Sequence, residues 1–158
     1  MSNEAPVAEG RIHEFTTQSG ADTIEVGRRL AGLLKPPQFL LLRGDLGTGK
    51  TTLVKGIAQA LDAADADEVT SPTFTLVHEY EGTHHGKPIK LFHLDVYRLE
   101  GERQLETLGL DDLQTQDALV LVEWGEKFKS LAKRATGEIV ITSEGGDARK
   151  IVVTLKDA

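Results

Sequence analysis

Between residues 44 and 51 the chain reads Gly44-Asp45-Leu46-Gly47-Thr48-Gly49-Lys50-Thr51. The apolar run Phe39-Leu40-Leu41-Leu42 stands directly before it, and Leu53, Val54, Ile57, Ala58 and Leu61 follow at helical spacing. This is the full pattern G-x-x-x-x-G-K-[ST] of a phosphate-binding P-loop, in the strand–loop–helix setting it requires. Each residue type has a reason. Glycines adopt backbone conformations closed to other residues, so successive amides can close around phosphate oxygens. Those amides stand at the start of a helix, whose dipole also favours an anion. Lys50 offers a point charge for β and γ phosphates, and the Thr51 hydroxyl is a ligand for Mg²⁺. The nucleotide-contacting candidates are therefore Gly44, Asp45, Leu46, Gly47, Thr48, Gly49, Lys50, Thr51 and Thr52.

A strand of consecutive apolar residues is buried on both faces of a parallel sheet, and Ala118-Leu119-Val120-Leu121-Val122 is a second such run. Ser19-Gly20-Ala21-Asp22 reads as a capped helix start, with Val26, Leu30, Leu33 and Leu34 as its apolar stripe and Lys35-Pro36-Pro37 as its stop. Arg11 to Thr17 is a candidate strand with Ile12 and Phe15 on opposite faces. Strands are expected over 73–80 and 89–96, joined by a polar loop from Glu81 to Pro88, and over 138–142 and 150–155 around Glu144-Gly145-Gly146-Asp147. One or two short helices fit 102–116. Early strand–helix alternation and late hairpins imply an α/β, P-loop NTPase-like three-layer fold, with a mixed, partly parallel central sheet flanked by helices. The length of 158 residues suits one domain over 11–158, preceded by a flexible tail over 1–10.

The chain has no cysteine, which excludes disulfides, thiol catalysis and Cys-ligated metals. Its longest apolar run, five residues, is far below the ~18 of a membrane span. An acid stands near the N-terminus where a secretory signal carries basic residues. Eighteen Lys plus Arg against 25 Asp plus Glu give a net charge of −7, which opposes strong direct binding to nucleic acid. The expectation is a cytoplasmic protein with no membrane partner.

A P-loop works with a carboxylate at the end of a second strand. Two are available: Asp95 after Ile89-Lys90-Leu91-Phe92-His93-Leu94, and Glu123 after the apolar run from Ala118. Ligands of open α/β sheets gather at the carboxyl ends of strands, so either acid can face the metal while the other orients water. The single asparagine, Asn3, removes the asparagine-based guanine motif, and no Asp is followed three residues later by Gly. ATP is therefore favoured over GTP.

These segments together carry a resemblance. The P-loop, Ser71-Pro72-Thr73-Phe74-Thr75-Leu76-Val77, His93-Leu94-Asp95-Val96-Tyr97-Arg98-Leu99 and Leu121-Val122-Glu123-Trp124 occur in the order seen in the TsaE (YjeE) family, which the chain resembles over residues 19–125. The resemblance implies a small bacterial ATPase that acts with TsaB and TsaD to form threonylcarbamoyladenosine in tRNA, its hydrolysis driving or resetting that complex. It also implies that Lys50 and Thr51 hold phosphates and Mg²⁺, that Asp95 and Glu123 serve the metal and the hydrolytic water, and that Trp124 lies by the nucleotide. The acidic balance suits a protein that works on proteins.

Ser71 and Thr73 are candidates for a switch-like segment whose hydroxyls sense the γ-phosphate or Mg²⁺, against a plain Pro-containing turn. Arg98 is weighed as a surface arginine or a partner of transition-state charge, and Trp124 also suits a core position. His84-His85 makes a poor metal site, because neighbours on a strand point to opposite faces. Two other functions use the same P-loop: a small-molecule kinase, or a nucleotide-gated binding module. A kinase needs an arginine-bearing lid, and none of the eight arginines forms a Gly-flanked cluster of that kind.

Overall fold

Why the chain takes its architecture follows from two apolar strands that can be buried only at the centre of a sheet. The computed structural model describes residues 10–45, 48–64, 68–70, 72 and 77–156. The elements are β1 (Gly10–Thr17), α1 (Gly20–Leu33), β2 (Gln38–Arg43), α2 (Lys50–Ala60), β3 (Val77–His84), β4 (Lys87–Asp95), α3 (Glu102–Glu106), α4 (Leu110–Leu113), β5 (Ala118–Glu123), a 3₁₀ turn (Gly125–Lys127), α5 (Lys129–Arg134), β6 (Gly137–Gly145) and β7 (Ala148–Lys156). They form a seven-stranded sheet in the order β1-β7-β6-β2-β5-β4-β3. The inner strands β6, β2, β5 and β4 run parallel, while β3 at one edge and β7 and β1 at the other pair antiparallel. The expected mixed, partly parallel sheet flanked by helices is what forms.

Register sorts the side chains into two cores. Leu40, Leu42, Leu91, Leu119 and Leu121 pack against α1 and α2. Phe39, Leu41, Phe92, Leu94, Val120 and Val122 face the other way, onto Leu105, Leu110 and Leu131 of the short helices. Leu42 and Asp95 are both register partners of Glu123, so Asp95 and Glu123 emerge together on the α2 side, at the carboxyl ends of adjacent parallel strands.

Helix α1 begins as expected: the Asp22 N–H donates to Ser19 Oγ at 3.1 Å, and Asp22 Oδ2 accepts from the Gln18 N–H at 2.9 Å. Its buried stripe is Val26, Gly27, Leu30 and Ala31, continued by Leu34, whereas Leu33 is 37% exposed. At 100° per residue, Val26, Gly27, Leu30, Ala31 and Leu34 share one arc of the helix, and Leu33 falls beyond its edge. Helices α1 and α2 cross backbone to backbone: a Cβ on Gly27 would overlap the Leu53 carbonyl, and one on Gly56 the Ile24 carbonyl.

The polar stretch 81–88 is not a loop. Strand β3 continues to His84, β4 begins at Lys87, and the turn is only His85 and Gly86, with φ of 52° and 81°. Polarity there reflects an edge strand wetted along its length. Helix α5 was not anticipated; its six residues bury only Leu131. Residues 1–9 of the expected tail, Leu46, Gly47, Ser71 and residues 73–76 of the strand expected from Thr73 lie outside the described residues, and Gly10 already belongs to β1. Among the described residues, no helix is long and apolar enough to cross a membrane.

The helix crossing generates a stability prediction. Gly56→Ala is expected to destabilise the protein by about 1–3 kcal/mol, because two backbones must separate. Gly32→Ala, at an exposed α1 position with nothing within 4 Å of the added carbon, is expected to stabilise it by about 0.5–1 kcal/mol. Urea unfolding midpoints of the two variants check the contrast.

Candidate functional site

The loop after β2 is shaped by glycine at both ends. Gly49 has φ 106° and caps α2 without any side-chain hydrogen bond to the first turn. At Gly44, an added Cβ would lie 2.7 Å from Thr48 Oγ1 and 2.8 Å from the Ile141 carbonyl oxygen. Thr48 Oγ1 donates to the Asp45 carbonyl at 2.7 Å, and Arg149 Nε donates to the Thr48 carbonyl at 2.7 Å. The loop is thereby fastened to itself and to β7. Thr51 and Thr52 occupy the first turn of α2 and are half-buried.

Lys50 is the focus. It is 6% exposed, yet its Nζ meets polar groups on two sides. It donates to the Gly44 carbonyl at 2.7 Å and lies 3.6 Å from Glu123 Oε1, with the Trp124 ring centroid 4.6 Å away. Glu123 is 4% exposed, and its second oxygen, Oε2, is 2.6 Å from His93 Nε2. Asp95, 3% exposed, accepts the Tyr97 N–H through Oδ1 at 2.9 Å and so shapes the turn after β4. The two acids thus differ: Glu123 pairs with the lysine, while one oxygen of Asp95 holds backbone.

Trp124 takes the left-handed conformation, φ 66°, which brings its ring over Lys50 and within 4.9 Å of the Tyr97 ring. Lys127 secures this corner by donating to the carbonyls of Tyr97 and Leu99 at 2.6 and 3.1 Å. A cleft of about 330 Å³ opens between the loop and the end of β6, lined by Gly44, Asp45, Thr48, Trp124, Thr142 and Ser143. A second, of about 150 Å³, lies between Thr48, Gly49, Thr52, the start of α1 and Arg149.

The described candidates Gly44, Asp45, Thr48, Gly49, Lys50, Thr51, Thr52, Asp95, Glu123 and Trp124 therefore gather at one end of the sheet. His84 and His85 stand apart. The His84 Nε2–H donates to the Ala31 carbonyl at 3.0 Å, tying the β3–β4 hairpin to α1. Arg98 is exposed beyond β4. Sequence reasoning assigned no role to His93, Arg149 or Lys127. His93 carried a signal, being a polar residue at even spacing from Asp95 within an apolar strand; Arg149 carried none, lying 101 residues from its partner Thr48.

Chemically, uncapped helix amides and a buried ammonium suit phosphate oxygens. The Thr51 hydroxyl and the carboxylates of Glu123 and Asp95 are an all-oxygen donor set, the kind that a hard cation such as Mg²⁺ takes.

The family model described as "Threonylcarbamoyl adenosine biosynthesis protein TsaE" matches residues 17–151. The tRNA threonylcarbamoyladenosine biosynthesis protein TsaE of Bacillus subtilis is 37% identical over 142 residues, covering 89% of this chain and 84% of that protein. The namesake from Aquifex aeolicus is 41% identical over 118 residues, 75% of this chain and 80% of its own. The crystal structure of YdiB from Bacillus subtilis superposes with a TM-score of 0.67 at 31% identity, covering 94% of this chain and 88% of that one.

Glu123 anchors two buried groups, so replacements should separate by what they leave behind. Glu123→Leu is expected to cost about 3 kcal/mol of stability, stranding a buried ammonium and the His93 donor. Glu123→Gln keeps an acceptor and is expected to cost about 1 kcal/mol. Denaturant unfolding of nucleotide-free protein checks both.

Proposed function

The chain belongs to the TsaE family of tRNA threonylcarbamoyladenosine biosynthesis proteins, and from that premise we propose that it is a Mg²⁺-dependent ATPase. In this reading it works with TsaB and TsaD, and its hydrolysis drives or resets that complex. The observation that carries the proposal is the Lys50 ammonium, buried at the mouth of a glycine-shaped loop between the Gly44 carbonyl and Glu123.

Backbone amides of residues 44–52 bind the phosphate oxygens, and Lys50 turns its ammonium hydrogens from the Gly44 carbonyl toward the β and γ phosphates. The exchange replaces a neutral acceptor with anionic ones, so the charge-assisted bonds strengthen. Thr51, Glu123 and Asp95 would hold Mg²⁺, which neutralises charge across the phosphate oxygens. Of the two carboxylates, one would bind the metal directly and the other through a water, or orient the attacking water. Trp124 shields the lysine from solvent, and an ammonium in a dry site acts more strongly on phosphate than one in water. The net charge of −7 favours protein partners over a bare phosphate backbone. A cytoplasmic location goes with this work on tRNA.

Phosphate release from ATP without any added acceptor, rising when TsaB and TsaD are supplied, is the expected result. Lys50→Ala should abolish binding and turnover, whereas Asp95→Asn and Glu123→Gln should bind Mg-ATP and hydrolyse it about 10²–10³-fold more slowly. Normal turnover by Lys50→Ala would contradict the reading. Labelled phosphate accumulating on a small-molecule acceptor would instead identify a kinase.

A further inference from the structure

Glu123 is held from two sides, and one of those sides has no part in the chemistry above. His93 is wholly buried on β4, and its Nε2 meets Glu123 Oε2 at 2.6 Å. Its other ring nitrogen, Nδ1, is buried without a hydrogen-bond partner among the described residues. On this face Leu91 precedes it on β4 and Leu121 is its partner on β5, while His78 is its partner on β3 and Asp95 follows it on β4. A histidine serving only to fill that core would do so at a disadvantage, since burying a polar ring nitrogen unpaired is unfavourable and a leucine there incurs no such penalty. What the imidazole provides and leucine cannot is a donor aimed at the carboxylate.

The ring geometry also fixes where the hydrogen sits. Nε2 faces a carboxylate oxygen at hydrogen-bond distance, so it carries a hydrogen and donates it to Oε2. With Oε2 engaged, the carboxylate cannot rotate to give both oxygens to Lys50. Oε1 stays 3.6 Å from the ammonium, an ion pair held short of close contact. We propose that His93 is a positioning residue: it clamps Glu123 so that Oε1 remains directed at Lys50 and the loop, and Lys50 remains available to phosphate. Losing the clamp lets the carboxylate close on the lysine, which withdraws both groups at once. The clamp is a property of the folded chain; its consequence for turnover rests on the nucleotide reading above.

Two experiments separate those parts. Long-range ¹H–¹⁵N spectra of histidine-labelled, nucleotide-free protein should show His93 with a hydrogen on Nε2, and the Nε2 signal should move in Glu123→Gln. An Nε2 that carries no hydrogen, or a signal indifferent to Glu123→Gln, overturns the clamp whatever the protein binds. His93→Leu should then weaken the Mg²⁺ half-saturation of ATP turnover and lower kcat by about 10–100-fold, the usual effect of removing a hydrogen bond to a metal ligand, and raise KM for ATP as Lys50 closes on Glu123. His93→Gln, whose amide can donate to the same oxygen, should recover most of the loss. Equal losses in both variants, or none in His93→Leu, would reduce His93 to a packing residue. If the parent protein does not bind Mg-ATP, the nucleotide reading fails, and the ring-nitrogen spectrum still decides the clamp.

Discussion

An ammonium group that is almost entirely out of water must be compensated on the spot, and the Lys50 ammonium is 6% exposed. The Gly44 carbonyl, the Glu123 carboxylate and the Trp124 ring supply that compensation from three directions. Each comes from a different place: the carbonyl from the loop after β2, the carboxylate from the end of β5, the ring from the left-handed residue beyond it. The architecture is best understood as what brings these three to one point. Parallel pairing of β2 with β5 sets Leu42 opposite Glu123, so the loop and the acid leave adjacent strands at the same level. A shift of one residue would turn Glu123 into the opposite core.

Around this point, the compensation is arranged so that it can be given up. Gly44 binds the ammonium through a backbone carbonyl, a neutral acceptor that an anionic ligand outcompetes. The ion pair with Glu123 spans 3.6 Å rather than a close contact, and Oε2 is taken by His93. The loop itself is braced at Thr48 by Arg149 and by its own hydroxyl bond to Asp45. A rigid frame around a cation that is only loosely satisfied is the arrangement expected of preorganised charge.

What could be read from residues alone follows where burial is uniform. β2 and β5 were legible because a strand buried on both faces has to be continuously apolar, and α2 because Leu53, Ile57 and Leu61 repeat every four residues. The loop and its acids followed from pattern and strand ends. Elsewhere the signal was ambiguous or absent. The β3–β4 hairpin looked like a loop because an edge strand is as polar as one. Leu33 reads as core because it stands three residues after Leu30, yet it lies beyond the edge of the buried arc. Helix α5 buries a single leucine, too little to show a period. His93 needed the β4–β5 register before its polar position meant anything, and Arg149 reaches the loop only through tertiary structure.

The claim beneath all of this is that the Lys50 cradle exists for the terminal phosphates of a nucleotide. Calorimetric titration tests it most directly, on protein whose unfolding transition is first verified. Mg-ATP should give saturable heat at one site per chain, and Mg-AMP, which lacks the β and γ phosphates, should give none. Equal heats from the two, or no saturable heat from Mg-ATP, would contradict it.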